Sequence, residues 1–157
     1  MFGNWSLVIG AYRVMSSDPN KKIKVVFACL DWRLHPQIEN QFSGEGDGCD
    51  MCVTAGSVKS LIDPATQGFM LNQIEISKNL HNCQEVVLTM HMDCGAYGGS
   101  KSFKDEHDER SACLAELVKA KAIVRQKFFD LHVKTYLIKL DRTINGWGIT
   151  AEEVQVQ

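Results

Sequence analysis

Glu85-Val86-Val87-Leu88-Thr89-Met90-His91-Met92-Asp93-Cys94-Gly95 is the stretch that decides how this chain folds. Its first half is short and continuously apolar, the composition of a strand buried on both faces of a sheet. Its second half stops abruptly in an imidazole, a thiol and a glycine, with two more glycines at Gly98 and Gly99. A matching run lies upstream. Residues 23–28 (IKVVFA) are β-branched and apolar, and they end in Cys29-Leu30-Asp31-Trp32-Arg33. Two further runs, 50–54 and 133–140, read as strands of the same kind.

Helical patterns separate these strands. Residues 34–41, with Pro36 in the first turn, predict a short helix. Pro64 introduces a second, over 66–80, whose apolar residues Phe69, Met70, Leu71, Ile74, Ile76 and Leu80 form a broad stripe. A stripe that wide predicts cover on more than one side. The third is the longest, 105–129. Cys113, Leu117, Ala120, Val124 and Phe128 recur at steps of three and four, with acids crowding its start and Arg125 and Lys127 its end, as the helix dipole favours. The glycines of 43–48 and 95–101 mark loops. Strands alternating with helices predict an α/β fold, a mainly parallel central sheet flanked by helices on both faces. The expected organisation is a single domain over 1–157, with an N-terminal arm at 1–20 and a polar C-terminal tail at 141–157 that holds Gly146-Trp147-Gly148 and has no evident place in the sheet.

Bulk properties bound the function. At 157 residues, 45% hydrophobic and 23% charged, the chain has the make-up of an ordinary globular domain. A net charge of -2 with no basic block argues against nucleic acid or an anionic membrane as partner. Residues 1–15 lack the basic start and long apolar core of a secretory signal, and no run approaches the ~20 residues of a membrane span. Six cysteines in so core-rich a chain are expected to stay reduced, which points to a cytoplasmic protein.

The chemistry gathers at the strand ends. In parallel sheets ligands bind beyond the carboxyl ends of the strands, where Cys29 and His91 both fall. Thiolate and imidazole are the donors zinc prefers, and a catalytic zinc site has three protein ligands and one exchangeable position. Cys29, His91 and Cys94 make up such a set. Continued strand alternation would place Cys29, Asp31 and Arg33 on one side, where the guanidinium keeps the carboxylate ionised and oriented.

Cys-x-Asp-x-Arg at 29–33 followed by His-x-x-Cys-Gly at 91–95 resembles the β-class carbonic anhydrases. Ala55-Gly56 after the second strand matches an Ala-Gly step of that family, although Val53-Thr54 stand where many members have Arg-Asn. The resemblance covers about 22–140. It implies zinc (Zn2+) on Cys29, His91 and Cys94, with a water or hydroxide nucleophile in the fourth position or, in a closed state, Asp31 itself. It implies reversible hydration of carbon dioxide to bicarbonate, with Asp31 and Arg33 as the catalytic dyad and Gly56 and Gly95 at the substrate mouth. It also implies a homodimer or higher homo-oligomer. Relatives of this fold act on carbonyl sulfide or carbon disulfide, and a non-catalytic zinc-binding homologue would carry the same motifs.

Other residues are expected to play lesser parts. Cys49-Asp50-Met51-Cys52 is a C-x-x-C without a partner pair. Cys83 and Cys113 read as packing residues. His35 and His107 are candidate proton shuttles, His81 a helix-end residue, Asp93 an orienting group within the motif, and Tyr97 with Gly95, Gly98 and Gly99 a shaper of the mouth.

Overall fold

A computed structural model describes residues 23–35, 37–43 and 48–156. The expected arm at 1–20, the placement of Pro36 and most of the 43–48 loop lie outside them. In chain order the elements are β1 (Ile23–Cys29), α1 (Gln37–Ser43), β2 (Gly48–Thr54), α2 (Lys59–Ile62), α3 (Pro64–His81), β3 (Glu85–His91), α4 (Glu106–Lys127), β4 (His132–Thr143) and β5 (Gly146–Glu153). Short 3-10 turns at Trp32–Leu34, Gly95–Tyr97 and Ser100–Ser102 follow the first and third strands.

The five strands form one sheet in the order β2-β1-β3-β4-β5. The first four run parallel and β5 pairs antiparallel with β4. Residues of β1 alternate between the two sides of this sheet. Val25 and Phe27 pack with Leu61, Met70, Ile74, Leu117 and Val124 of α2, α3 and α4, whereas Val26 and Ala28 pack with Ile38 and Phe42 of α1. In β3, Val86, Leu88 and Met90 take the first side and Val87 the second. This is why the two central strands are apolar over Val25–Ala28 and Val86–Leu88. Cutting Leu88, which is fully buried, to alanine is expected to cost about 3 kcal/mol, the usual range for an aliphatic side chain that leaves a cavity. Chemical denaturation monitored by circular dichroism would measure it.

The helix ends follow their local chemistry. Asp63 caps α3 by accepting from the Ala65 amide, Pro64 occupies the first turn, and Asn82 ends it in the left-handed conformation. Asp105 caps α4 through the Asp108 amide.

Three expectations need correction, and one motif left open is resolved. Residues 141–156, expected as a polar tail, are largely sheet, because β4 continues to Thr143, turns at Ile144 and Asn145 and returns as β5. No residue of β5 is fully buried, so no continuous apolar run marks it in the sequence. Residues 34–41 do not form one helix but a 3-10 turn and then α1. The broad stripe of α3 is covered on one side only among the described residues. Met70 and Ile74 are buried, while Phe69, Ile76 and Leu80 are exposed. Finally, the C-x-x-C cannot act as a pair. It lies within β2, where residues three apart point to opposite faces; Cys52 packs against the α3 side and Cys49 against the α1 side. Burial raises the Cys52 thiol to about 11, so it stays protonated. Cys83 and Cys113 are buried packing residues, as expected.

Candidate metal centre

β1 ends at Cys29 and β3 at His91, and both are joined to the sheet by the parallel register Phe27↔Leu88. Cys94 follows His91 after a turn that reverses at Asp93, whose φ is +59°. The sheet therefore brings three donors from two strand ends to one point. The Cys29 and Cys94 sulfurs lie 3.9 Å apart, and one ligand atom from each of Cys29, His91 and Cys94 lies within 4.8 Å of the others. All three residues are buried.

The set fits a zinc ion on two observations. With Zn–S near 2.3 Å and tetrahedral angles, two thiolates on one ion stand ~3.8 Å apart, close to the sulfur separation here. The second is the state of His91. Its Nδ1 is 2.9 Å from the Met92 carbonyl, which selects the tautomer with a free Nε2 lone pair. That Nε2 is buried and has no hydrogen-bond partner. A buried nitrogen acceptor left bare costs energy; a cation among these donors would satisfy it.

The sulfurs are electrostatically unequal. The Cys94 thiol hydrogen-bonds Cys29 and holds its pKa well below the ordinary thiol value against the opposing effect of burial. The Gly56 amide adds a donor, 3.3 Å from the Cys29 sulfur. The same pairing, with burial, pushes Cys94 up. The pair thus favours one thiolate, the Gly56 amide marks Cys29 as the sulfur that accepts, and the proton left between the sulfurs is the one a metal would displace.

Beside the sulfurs, Asp31 and Arg33 are brought together, but not by strand alternation. The strand stops at Cys29, and Asp31 caps the 3-10 turn by accepting from the Arg33 amide. The Arg33 side chain then folds back. Its Nε lies 3.0 and 3.1 Å from the two Asp31 carboxylate oxygens and its Nη2 lies 2.6 Å from Oδ2. Its Nη1 donates to Asp93 Oδ2 at 2.9 Å, and its guanidinium sits over the Trp147 ring at 5.4 Å. Hydrogen bonds from Arg33 hold both Asp31 and Asp93 below the usual carboxylate range, and the two acids raise the guanidinium in return. With both oxygens engaged by Arg33, Asp31 is not one of the clustered donors.

A cavity of about 430 Å³ opens onto this point, lined by Cys29, Leu30, Asp31, Trp32, Arg33, Ala55, Gly95 and Ala96. Gly95 lines this cavity. Gly56 is behind the sulfur instead, and its φ of +76° suits it to the turn that aims its amide at Cys29. A Cβ there would come within 3.0 Å of Ala96. Tyr97 points away from the mouth, its hydroxyl 3.1 Å from Glu116 on α4. His35 bonds the Cys29 carbonyl at 3.1 Å, so it supports the ligand loop from the side. His107 is exposed on α4. His81 ends α3, with its Nδ1 2.7 Å from Asp50.

Two contributors escaped sequence reasoning. Trp147 lay in the stretch with no assigned element. Glu109 is a buried acid on α4 that binds the Asp93 amide. It did leave a signal, since it falls four residues before Cys113 and so on the apolar face of the helix.

Residues 19–144, well over half of the chain, match the model of the protein family described as "Putative carbonic anhydrase". The chain belongs to that family. It is 29% identical to an uncharacterized protein of Rickettsia conorii, over 80% of this chain and 72% of that one. It is 27% identical to an uncharacterized protein of Rickettsia bellii, over 80% and 81% respectively. Among solved structures, it resembles one of two tetrameric β-carbonic anhydrases from the ascomycete Sordaria macrospora. The TM-score is 0.55 at 12% identity, covering 85% of this chain and 80% of that one. At that identity the likeness concerns the fold, the mainly parallel sheet flanked by helices.

Proposed function

We propose that this carbonic anhydrase family member is a β-class zinc enzyme that reversibly hydrates carbon dioxide to bicarbonate. The observation that carries the reading is the buried Cys29–His91–Cys94 cluster facing a small open cavity whose charged wall is Asp31 held by Arg33. When bound, zinc supplies a Lewis acid that lowers the pKa of water in its exchangeable position. The protein's own residues do the rest. Cys29 and Cys94 supply two anionic donors, and His91 presents Nε2 because the Met92 carbonyl holds Nδ1. Two thiolates would cancel the charge of a bound dication, so the reacting water would need a protein acceptor as well. Asp31 is that acceptor, which stays ionised and orients that water toward the substrate. Arg33 holds Asp31 in place, and Asp93 and Trp147 hold Arg33.

The mouth suits a small, weakly polar molecule. Leu30, Trp32, Ala55 and Ala96 give it apolar walls, and Gly95 leaves one side open. The engagement of both Asp31 oxygens by Arg33 supports the open form of the site over the form in which Asp31 closes the metal's fourth position.

Around the mouth, Leu30 and Trp32 are exposed, as is Val53 on the neighbouring strand β2. Grouped apolar exposure of this kind supports a homo-oligomer that covers the rim. Among the described residues no helix is long and apolar enough to cross a membrane, and we place the protein in the cytoplasm, where its thiols stay reduced.

Metal analysis of the purified chain combined with stopped-flow carbon dioxide hydration tests the reading. One zinc per chain and a hydration rate that rises with pH are expected. One zinc with no hydration even at basic pH would identify a non-catalytic zinc-binding homologue. Turnover of carbonyl sulfide or carbon disulfide far above that of carbon dioxide would make the chain a hydrolase of those substrates.

A further inference from the structure

We infer that Glu109 is a positioning residue for the Asp31–Arg33 pair, acting through the turn at Asp93. Glu109 lies in the first turn of α4 and is 3% exposed, the one buried carboxylate among the described residues. Burying a carboxylate is costly unless strong donors meet it. Its Oε1 accepts from the Asp93 backbone amide at 2.6 Å, a charge-assisted bond of the stronger class.

The residue so held has a left-handed backbone. Asp93 has φ +59°, a region that side-chain-bearing residues visit sparingly and aspartate tolerates when its polar groups are bonded locally. Only from that conformation do its acceptors face Arg33. Asp93 Oδ2 takes Nη1 at 2.9 Å and the Asp93 carbonyl takes Nη2 at 3.2 Å. Oδ1 accepts from the Ser100 amide at 3.1 Å, which closes the turn. The opposite edge of the same guanidinium carries Asp31. Glu109, Asp93, Arg33 and Asp31 are therefore linked in series, from α4 to the mouth. If the Glu109 bond is lost, the turn can relax, both Asp93 acceptors swing away, and Arg33 keeps only Asp31 and the face of the Trp147 ring. Glu109 itself lines the cavities of about 470 and 260 Å³ that flank the turn, not the mouth, so it acts through its neighbours.

The consequence for catalysis rests on the function proposed above; the linkage itself does not. The test uses the zinc-loaded full chain with Glu109→Ala, which removes the acceptor, and Glu109→Gln, which keeps an acceptor oxygen. By NMR, the Asp93 amide is expected to exchange with solvent roughly 10- to 100-fold faster in Glu109→Ala, and the slowly exchanging Arg33 Nε–H signal to be lost. Glu109→Gln is expected to stay near wild type in both. In hydration assays kcat is expected to fall about tenfold in Glu109→Ala, with KM and zinc content unchanged, and to recover in Glu109→Gln. Unchanged Asp93 and Arg33 signals in Glu109→Ala, even with a lower Tm, would overturn the inference and leave Glu109 a structural residue. Equal defects in the two variants would overturn it as well. Should the alanine variant fail to fold, Glu109→Leu fills the space without an acceptor and carries the same expectations. A wild-type chain with no hydration would count against the proposed function, while the NMR signals would still decide this linkage.

Discussion

Cys94→Ala is expected to abolish stoichiometric zinc. Removing a group that merely orients a ligand costs 10- to 100-fold in metal affinity; removing one of three direct donors should cost more than about 100-fold. The arrangement makes the loss hard to repair. Asp31 has both oxygens occupied by Arg33, and Cys113, the next nearest buried thiol on the α4 side, has its pKa raised to about 11 by burial. In the metal-free protein the same substitution deletes one buried sulfur, an effect of about 1 kcal/mol. The wild type should therefore lose much of its thermal stability on treatment with a chelator and the variant very little, because the metal's binding free energy adds to folding only where the site exists. Metal analysis and thermal melts with and without chelator would measure both. A variant that keeps one zinc per chain would remove Cys94 from the site.

Asp31→Ala is expected to separate binding from turnover. Zinc content should stay at the wild-type level, since Asp31 is outside the clustered donors. The hydration rate should fall by about 100-fold or more, the range for loss of a positioned proton acceptor. The stability cost should be about 1 kcal/mol, because Arg33 keeps Asp93 and Trp147 as partners. The pH dependence has a definite sign. Hydrogen bonds from Arg33 lower the Asp31 pKa relative to the unfolded chain. Its contribution to stability is thus present above the ordinary carboxylate value and is lost as pH falls through the lower folded value. Asp31 does not titrate near neutrality, so a change of rate between mildly acidic and basic pH reports the reacting water. A rate that is flat over that interval would argue against a water-derived nucleophile, and full activity in the variant would remove Asp31 from the mechanism.

Much of this was legible in the chain itself. The two central strands, residues 23–28 and 86–90, were readable because a strand covered on both faces must be apolar at every position. The long helix was readable from the spacing of Cys113, Leu117, Ala120 and Val124. The three sulfur and nitrogen donors were readable because parallel strands end on one side of a sheet, so two apolar runs that each stop in a soft ligand must stop near one another. The hairpin of β4 and β5 was not readable. No residue of β5 is fully buried, so it lacks the continuous apolar run that marks the central strands, and its place is settled by pairing with β4, a contact between residues that composition cannot connect.

What the sequence by itself determined is therefore the α/β architecture and which three soft side chains gather at the strand ends, both products of local pattern and strand direction. What only the tertiary structure decided is how the charged pair is held. Alternation along a strand put Arg33 beside Asp31 for a reason that fails at Cys29, where β1 ends and Asp31 caps a turn. The guanidinium reaches Asp31 by folding back, and it is fixed there by Asp93 from the β3 turn and Trp147 from β5, with Glu109 of α4 behind. Those groups are 60 to more than 100 positions from Arg33 in the chain, and only folding makes them neighbours. The physical reason is that a donor set can be recognised from residue types at strand ends, whereas the orientation of a charged side chain depends on every acceptor within hydrogen-bond reach, wherever in the sequence it arises.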